Sequence, residues 1–110
     1  MWMNVACLVG RVASEPKRKT TSGGTEYATL RIAVRRSGNH TDFFTVECWG
    51  GLAKVALNHV KTGRMLSLRC ELRQQEWGTG EGRKEQLSLV VRKLGLLASS
   101  DAMPIDAEAA

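Results

Sequence analysis

Apolar and polar residues alternate along most of this chain, and the alternation predicts five β-strands. Successive side chains of a strand point to opposite faces, so a two-residue period indicates a strand with one face in the core. The period occurs in five segments: MNVACLVGRVAS, TEYATLRIAVRR, DFFTVECW, RMLSLRCELRQQEW and EQLSLVVRKLGLL. Between the third and fourth of them, LAKVALNHV carries apolar residues at helical spacing and predicts one short helix.

Residues that favour turns separate these elements. EPKRKTTSGG, residues 15–24, combines a proline, three consecutive bases and two glycines, and predicts a loop or a hairpin arm. GTGEGRK, residues 78–84, joins two strands and lacks the GK[ST] ending of a phosphate-binding loop, so it is interpreted as a hairpin tip. The small, acidic segment 98–110 is expected to be a short disordered tail.

Five strands with one helix after the third favour an all-β fold, a five-stranded Greek-key barrel of the OB type. Residues 1–97 would form this single domain, which is long enough to bury a core. An α+β sheet with the helix packed on one side is the alternative. The barrel is favoured because no other segment could cover an open sheet of this size.

The third predicted strand, residues 42–49, has an unusual outer face. One of its rows is apolar and fits a core: Phe44, Val46 and Cys48. The opposite row is polar in its middle and aromatic at both ends: Phe43, Thr45, Glu47 and Trp49. Aromatic rings on the face that should meet water indicate a surface that binds something.

Charge indicates what that surface binds. The chain carries a net charge of +5 at pH 7, and residues 98–110 hold three acids and no base. Subtracting that tail leaves +8 on residues 1–97, which favours an anionic partner. Unstacked bases need a ring to lie on, at ~1–3 kcal/mol each, and their phosphates need positive charge.

We therefore predict that the outer face binds single-stranded nucleic acid. The candidate contacts are the outward-facing aromatic and basic side chains of the strands, together with the basic residues of the arm and the aromatic and basic residues of the hairpin tip. They are Trp49, Trp77, Phe43, Arg31, Arg35, Arg69, Arg73, Lys17, Arg18, Lys19, Arg83 and Lys84. A protein interface is the alternative for the rings, since aromatic residues are enriched at interfaces. Tyr27 is expected to pack. DNA and RNA are not separated, because their distinction depends on 2′-hydroxyl contacts.

The sequence predicts no catalytic residue, metal site or cofactor. The three cysteines are far apart and each falls in an apolar row, so free, buried thiols are expected: Cys7, Cys48 and Cys70. Neither histidine lies near a paired carboxylate or a cysteine cluster in the sequence. The N-terminus has no secretory pattern and no apolar run approaches the ~20 residues that span a bilayer, so a cytoplasmic protein without a membrane partner is expected.

Over residues 3–97 the chain also resembles the bacterial single-stranded DNA-binding protein family. MNVACLVGRVASEP is similar to the family's first strand and its LxGxLxxDP turn, and YATLRIAV is similar to its ANFxLAxN strand. The strongest resemblance is TDFFTVECWGGLAKVALNHVKTGRMLSLRCELRQQEW. It follows the family pattern of an aromatic strand and then xxGxLAExxxxYLxKGxxVxVEGxLxxxxW.

The resemblance implies OB-folds that assemble as homotetramers and wrap single-stranded DNA in replication, recombination and repair, in the cytoplasm with the nucleoid or in an organelle. It places Phe43, Trp49 and Trp77 at the stacking positions. Two features depart from the family. The residues after the second strand lack its further tryptophan, and the tail lacks its terminal aromatic, so the resemblance gives no support for recruiting replication or repair proteins through the tail. A primosome-type module that binds a protein partner, and DNA only weakly, is the alternative.

Overall fold

The computed structural model describes residues 1–77, 80–82, 84–97 and 105–108; for Trp77, Lys84 and residues 105–108 it describes the backbone alone. The strands and helices follow in this order: β1 Ala6–Val12, β2 Lys17–Thr20, β3 Glu26–Arg35, β4 Thr41–Trp49, α1 Gly51–His59, β5 Met65–Trp77, a 3₁₀ turn Gly80–Gly82, β6 Lys84–Leu96 and β7 Ile105–Glu108. Within these residues no helix is long and apolar enough to cross a membrane.

Five of the strands close into a barrel. The hydrogen-bonded order β1-β5-β6-β4-β3 returns to β1, where Arg11 pairs with Ala33 and Val12 pairs with Ile32. Every pairing in the ring is antiparallel except that of β4 with β6, which is parallel at Val46. Because the ring is closed, the OB-type barrel is confirmed over the open α+β sheet, and α1 lies between the third and fourth strands of the barrel as predicted.

Gly10 is required where the barrel closes. A Cβ atom at this position would lie 2.4 Å from the carbonyl oxygen of Ala33 and 2.8 Å from a side-chain carbon of Ile32. The structure shows that the glycine allows β1 to approach the backbone of β3.

The core fills the barrel with the inward rows of the strands and one face of α1. Its members are Val12, Ala28, Leu30, Ile32, Val46, Cys48, Leu52, Ala53, Ala56, Val60, Leu66, Leu68, Cys70, Val91, Leu94 and Leu96. Burying a side chain the size of leucine or isoleucine stabilises the fold by about 1.5–3 kcal/mol. Through its buried residues α1 packs on β3 and β4, so it supports the strands that carry the aromatic face.

One of the three cysteines contradicts the prediction. Cys48 and Cys70 are buried, and burial raises the pKa of Cys48 to about 12 and that of Cys70 to about 11. Cys7 is exposed, because register pairs its neighbour Leu8 with the buried Leu68 and turns Cys7 to the outer face. Both rows of β1 are apolar, so alternation alone could not decide which row enters the core.

Two strands lie outside the barrel ring. The predicted arm contains β2, which pairs with β3. Within the segment expected to be a disordered tail, Ile105–Glu108 pairs antiparallel with residues 93–96 of β6. That edge of β6 is available because β4 pairs with β6 only at residues 89 and 90. The rest of 98–110 lies outside the described residues, so the boundary at residue 97 stays a prediction.

Candidate nucleic-acid interface

The two rows of β4 face as the sequence predicted. Val46 and Cys48 are buried in the barrel, and Phe44 is partly buried beside them. On the opposite face Trp49 is half-buried, whereas the side chain of Phe43 is 50% exposed. Each ring lies at one end of the outer row, and each has its own partner on β3.

Trp49 is fixed by two neighbours. Register places Tyr27 of β3 directly opposite it, and the two rings stack with centroids 4.2 Å apart and planes inclined by 13°. The indole Nε1–H donates a hydrogen bond of 3.1 Å to Oε1 of Glu47. Tyr27 therefore packs as expected, and it does so by supporting the ring that was predicted to stack on a base.

A groove of about 690 Å³ borders the Trp49 indole. Its lining includes Leu52 and Val90 as apolar floor and Arg73 and Arg92 as positive charges, and Tyr27 is not part of it. Since Tyr27 covers one indole face, the groove meets the ring from another side. Its volume is in the range of clefts that bind organic ligands, so it is large enough for a flat base beside the indole.

Phe43 is held more loosely than Trp49. The guanidinium carbon of Arg31 lies 4.7 Å from the centroid of the phenyl ring, a cation–π contact. A second groove, of about 470 Å³, adjoins this ring and is lined on its far side by Leu72 and Leu87, which are 42% and 69% exposed. This end of β4 thus combines an exposed ring, an exposed cation and apolar surface.

The three consecutive basic residues of the arm lie on two different faces of the sheet. Lys17 pairs with Thr29 and Lys19 pairs with Tyr27, so both lysines share the face of the Trp49 stack. With Arg31 they line a groove of about 320 Å³. Arg18 lies on the other face, where it forms an ion pair with Glu26 at 3.4 Å. The structure therefore brings two of the three predicted arm bases to the aromatic face.

An arginine that the sequence reasoning missed lies beside Arg73. Arg73 Nη2 is 3.0 Å from Oε2 of Glu71, and Arg92 Nε is 3.7 Å from Oε1 of the same carboxylate. A register shift in the pairing of β5 with β6 skips Arg92, which buries Val91 while Lys93 stays exposed. The only sequence signal was the interrupted alternation in LVVRKL.

The other predicted contacts line neither groove beside the two rings, or they lie outside the described residues. Arg69 is exposed, pairs with Cys7 and Lys93, and lines neither of the grooves beside Trp49 and Phe43. Arg35 is exposed at the end of β3, opposite Thr41.

The hairpin tip remains untested. The backbones of Trp77 and Lys84 pair where β5 and β6 meet, but their side chains are not described, and Arg83 lies outside the described residues. In the part of the chain that the structure covers, no three His, Cys, Asp or Glu side chains cluster to hold a metal ion.

Comparison with known proteins identifies the family. Residues 3–97 match the model of the single-strand binding protein family. This chain belongs to that family. A single-stranded DNA-binding protein of Thermosynechococcus vestitus is 33% identical over 109 residues, covering 94% of this chain and 91% of the relative. Single-stranded DNA-binding protein 1 of Nostoc sp. is 35% identical over 103 residues, covering 90% and 87%.

Two solved single-stranded DNA-binding proteins have the same fold. The Plasmodium falciparum SSB in complex with ssDNA aligns with a TM-score of 0.65 and 21% identity, over 82% of this chain and 87% of that one. The mitochondrial single-stranded DNA binding protein Rim1 of S. cerevisiae aligns with a TM-score of 0.72 and 20% identity, over 88% and 97%. The resemblance inferred from the motifs and the OB-type barrel are both confirmed.

Proposed function

We propose that this protein binds single-stranded DNA without catalysing a reaction, by stacking bases on exposed rings and pairing phosphates with nearby cations. The observation that carries the proposal is the Trp49 indole, supported on one side by Tyr27 and bordered by a groove that contains Arg73 and Arg92. The curated relatives named above are single-stranded DNA-binding proteins, and one of the similar structures is a complex with ssDNA.

Stacking and charge have separate roles in this site. Each base on a ring contributes about 1–3 kcal/mol with little dependence on its identity. Lys17, Lys19 and Arg31 provide positive charge along the path between the rings. The remaining candidates, at the hairpin tip and on β3 and β5, extend the predicted path: Trp77, Arg83, Lys84, Arg35 and Arg69. Arg18 contributes only from the opposite side of the arm.

The protein is further proposed to form a homo-oligomer, a tetramer by its resemblance to the family. Val5 and Val9 are each 54% exposed on the outer side of the N-terminal segment and β1. We expect a second copy of the chain to pack on this apolar surface. The proposed setting is DNA replication, recombination and repair in the cytoplasm. Sedimentation equilibrium of the free protein gives the number of subunits.

Intrinsic tryptophan fluorescence tests the DNA-binding function. Titration with an oligothymidine at low salt should quench the emission, and raising the salt should weaken binding, since phosphate contacts release counterions. Duplex DNA of equal length is the control. Trp2→Phe should keep the quenching, because Trp2 is 99% exposed near the N-terminus and outside both grooves, whereas Trp49→Phe should reduce it. Equal binding to duplex, or binding to neither, would contradict the proposal and make the aromatic face a protein-binding surface.

A further inference from the structure

Glu47 is a negative charge in the middle of a surface that is otherwise suited to phosphate. It lies between Thr45 and Trp49 in the outer row of β4, with Thr29 opposite it on β3 and Val90 opposite it on β6. It lines both the groove beside Trp49 and the groove beside Phe43. Among the described residues it is the one carboxylate in either lining, and it must weaken the attraction for the DNA backbone.

One hydrogen bond and, among the described residues, the lack of an ion pair define the environment of the Glu47 carboxylate. Oε1 accepts the hydrogen bond from the Trp49 indole at 3.1 Å, which holds the group at the edge of the stacking ring. The nearby arginines, Arg73 and Arg92, pair with Glu71 instead. Within the described residues Glu47 forms no salt bridge, and Oε2 has no hydrogen-bond donor. The group therefore presents a fixed acceptor beside the place where a base would stack.

We propose that Glu47 reads the exocyclic amino group of the base stacked on Trp49, so that this position favours cytosine over thymine. The inference rests on the proposed DNA-binding function and adds a base preference to it. A carboxylate accepts a hydrogen bond from the N4 amino group of cytosine, whereas thymine presents the O4 acceptor at the equivalent position. Two acceptors facing each other leave both unpaired, which a partly desolvated site penalises.

The position of Glu47 restricts the base preference to the one nucleotide that stacks on Trp49. Because the indole Nε1–H donates to Glu47 in the plane of the ring, the carboxylate lies beside the edge of the indole, and a base that overlaps this edge and tilts toward it brings its amino group within reach of Oε2. Glu47 also lines the groove beside Phe43, but it is four residues from Phe43 along the strand, about 13 Å at ~3.3 Å per residue, so a base stacked on the phenyl ring itself is out of reach of the carboxylate. The preference should therefore be modest for a whole oligonucleotide, and one residue should control it.

The test compares oligodeoxycytidine with oligodeoxythymidine of equal length, both end-labelled with a fluorophore. Anisotropy is the readout, because substitutions at residue 47 would alter tryptophan emission directly. The full-length protein is titrated at one salt concentration and at slightly alkaline pH, where cytosine is unprotonated. The quantity measured is the ratio of the dissociation constant for thymidine to that for cytidine.

Glu47→Gln keeps the oxygen that accepts from the indole but presents an NH₂ donor in place of the second oxygen. The ratio should fall by about fivefold. Glu47→Asp keeps the charge but is shorter by one methylene, so it should lower the ratio without the general gain in affinity expected from removing a charge. Glu15→Gln is the matched control for charge, because Glu15 binds Thr62 and lines neither groove. It should leave the ratio unchanged.

The possible outcomes distinguish the base preference at Glu47 from the DNA-binding function on which it rests. A ratio that is unchanged in both Glu47 variants overturns the inference while leaving DNA binding intact. So does an equal gain in affinity for both oligonucleotides in Glu47→Gln, since Glu47 would then act only as a charge that repels phosphate. Failure of the parental protein to bind either oligonucleotide would contradict the proposed function itself, and the inference with it.

Discussion

The two ends of β4 present an aromatic ring in different ways. At one end Trp49 is half-buried, stacked on Tyr27 and hydrogen-bonded through its indole nitrogen to Glu47. At the other end Phe43 is 50% exposed, and its one ring partner in the described structure is the flexible side chain of Arg31. One ring is held in place before a ligand arrives, whereas the other must be ordered when the ligand binds.

This difference has an energetic consequence. A ring already fixed by its neighbours loses little conformational entropy when a base stacks on it, so more of the stacking energy contributes to affinity. When a base stacks on Phe43, the guanidinium of Arg31 must either leave the ring or stay on it while the base stacks against the other side. The Trp49 end should therefore dominate binding, and the Phe43 end should contribute less and respond more to salt.

The largest expected effect is that of Trp49→Ala. Removing the indole should weaken binding to an oligothymidine by roughly 10- to 100-fold, because a full stacking surface is lost. Trp49→Phe keeps a ring opposite Tyr27 and should retain most of the affinity. Fluorescence anisotropy with a labelled strand measures both variants. If Trp49→Ala binds as tightly as the parental protein, this end of β4 is not the main stacking site.

The next expected effect is a loss of stability caused at the Phe43 end of β4. Gly10→Ala would place a Cβ atom 2.4 Å from the Ala33 carbonyl oxygen, and Ala33 is the register partner of Phe43. The free energy of unfolding in urea should fall by about 1–3 kcal/mol, as for other overpacked sites. Gly23→Ala is the control, since its Cβ would meet no atom closer than 3.9 Å. Equal stability of the two variants would mean that β1 does not approach β3 this closely.

Phe43→Ala should have a smaller effect than Trp49→Ala. Binding to an oligothymidine should weaken by about fivefold, because the exposed ring has to be ordered on binding. Anisotropy at the same salt concentration gives the comparison directly. A loss as large as that in Trp49→Ala would show that the two ends are equivalent and that pre-ordering of the ring is unimportant.

The smallest effect distinguishes the cations at the two ends. Arg31 has no carboxylate within ion-pair distance among the described residues, whereas Arg73 lies 3.0 Å from Glu71. Arg31→Gln should reduce the slope of log affinity against log salt by about one. Arg73→Gln should reduce it less, because Glu71 already neutralises that charge. Equal slopes in the two variants would show that the ion pair with Glu71 opens when DNA binds.

The sequence by itself predicted the five strands and the helix of the barrel, and which face of β4 is chemically unusual. A two-residue period needs only local alternation, so Val46 and Cys48 were assigned to the core and Phe43 and Trp49 to the outer face. The same rule gave the wrong answer for Cys7 of β1, where Cys7 and its neighbour Leu8 are both apolar. Register with β5 decided that Leu8 enters the core.

The partners of each ring required the tertiary structure. The local sequence pattern does not predict that Tyr27 lies opposite Trp49 or that a register shift skips Arg92. It also does not predict that Arg18 faces away from the Trp49 stack while Lys17 and Lys19 face toward it. The sequence determined the barrel, the basic charge and the aromatic row, because these follow from composition and period. Closure of the barrel and strand register decided which rings are supported and which arginines stand beside them, because both depend on contacts between residues far apart in the chain.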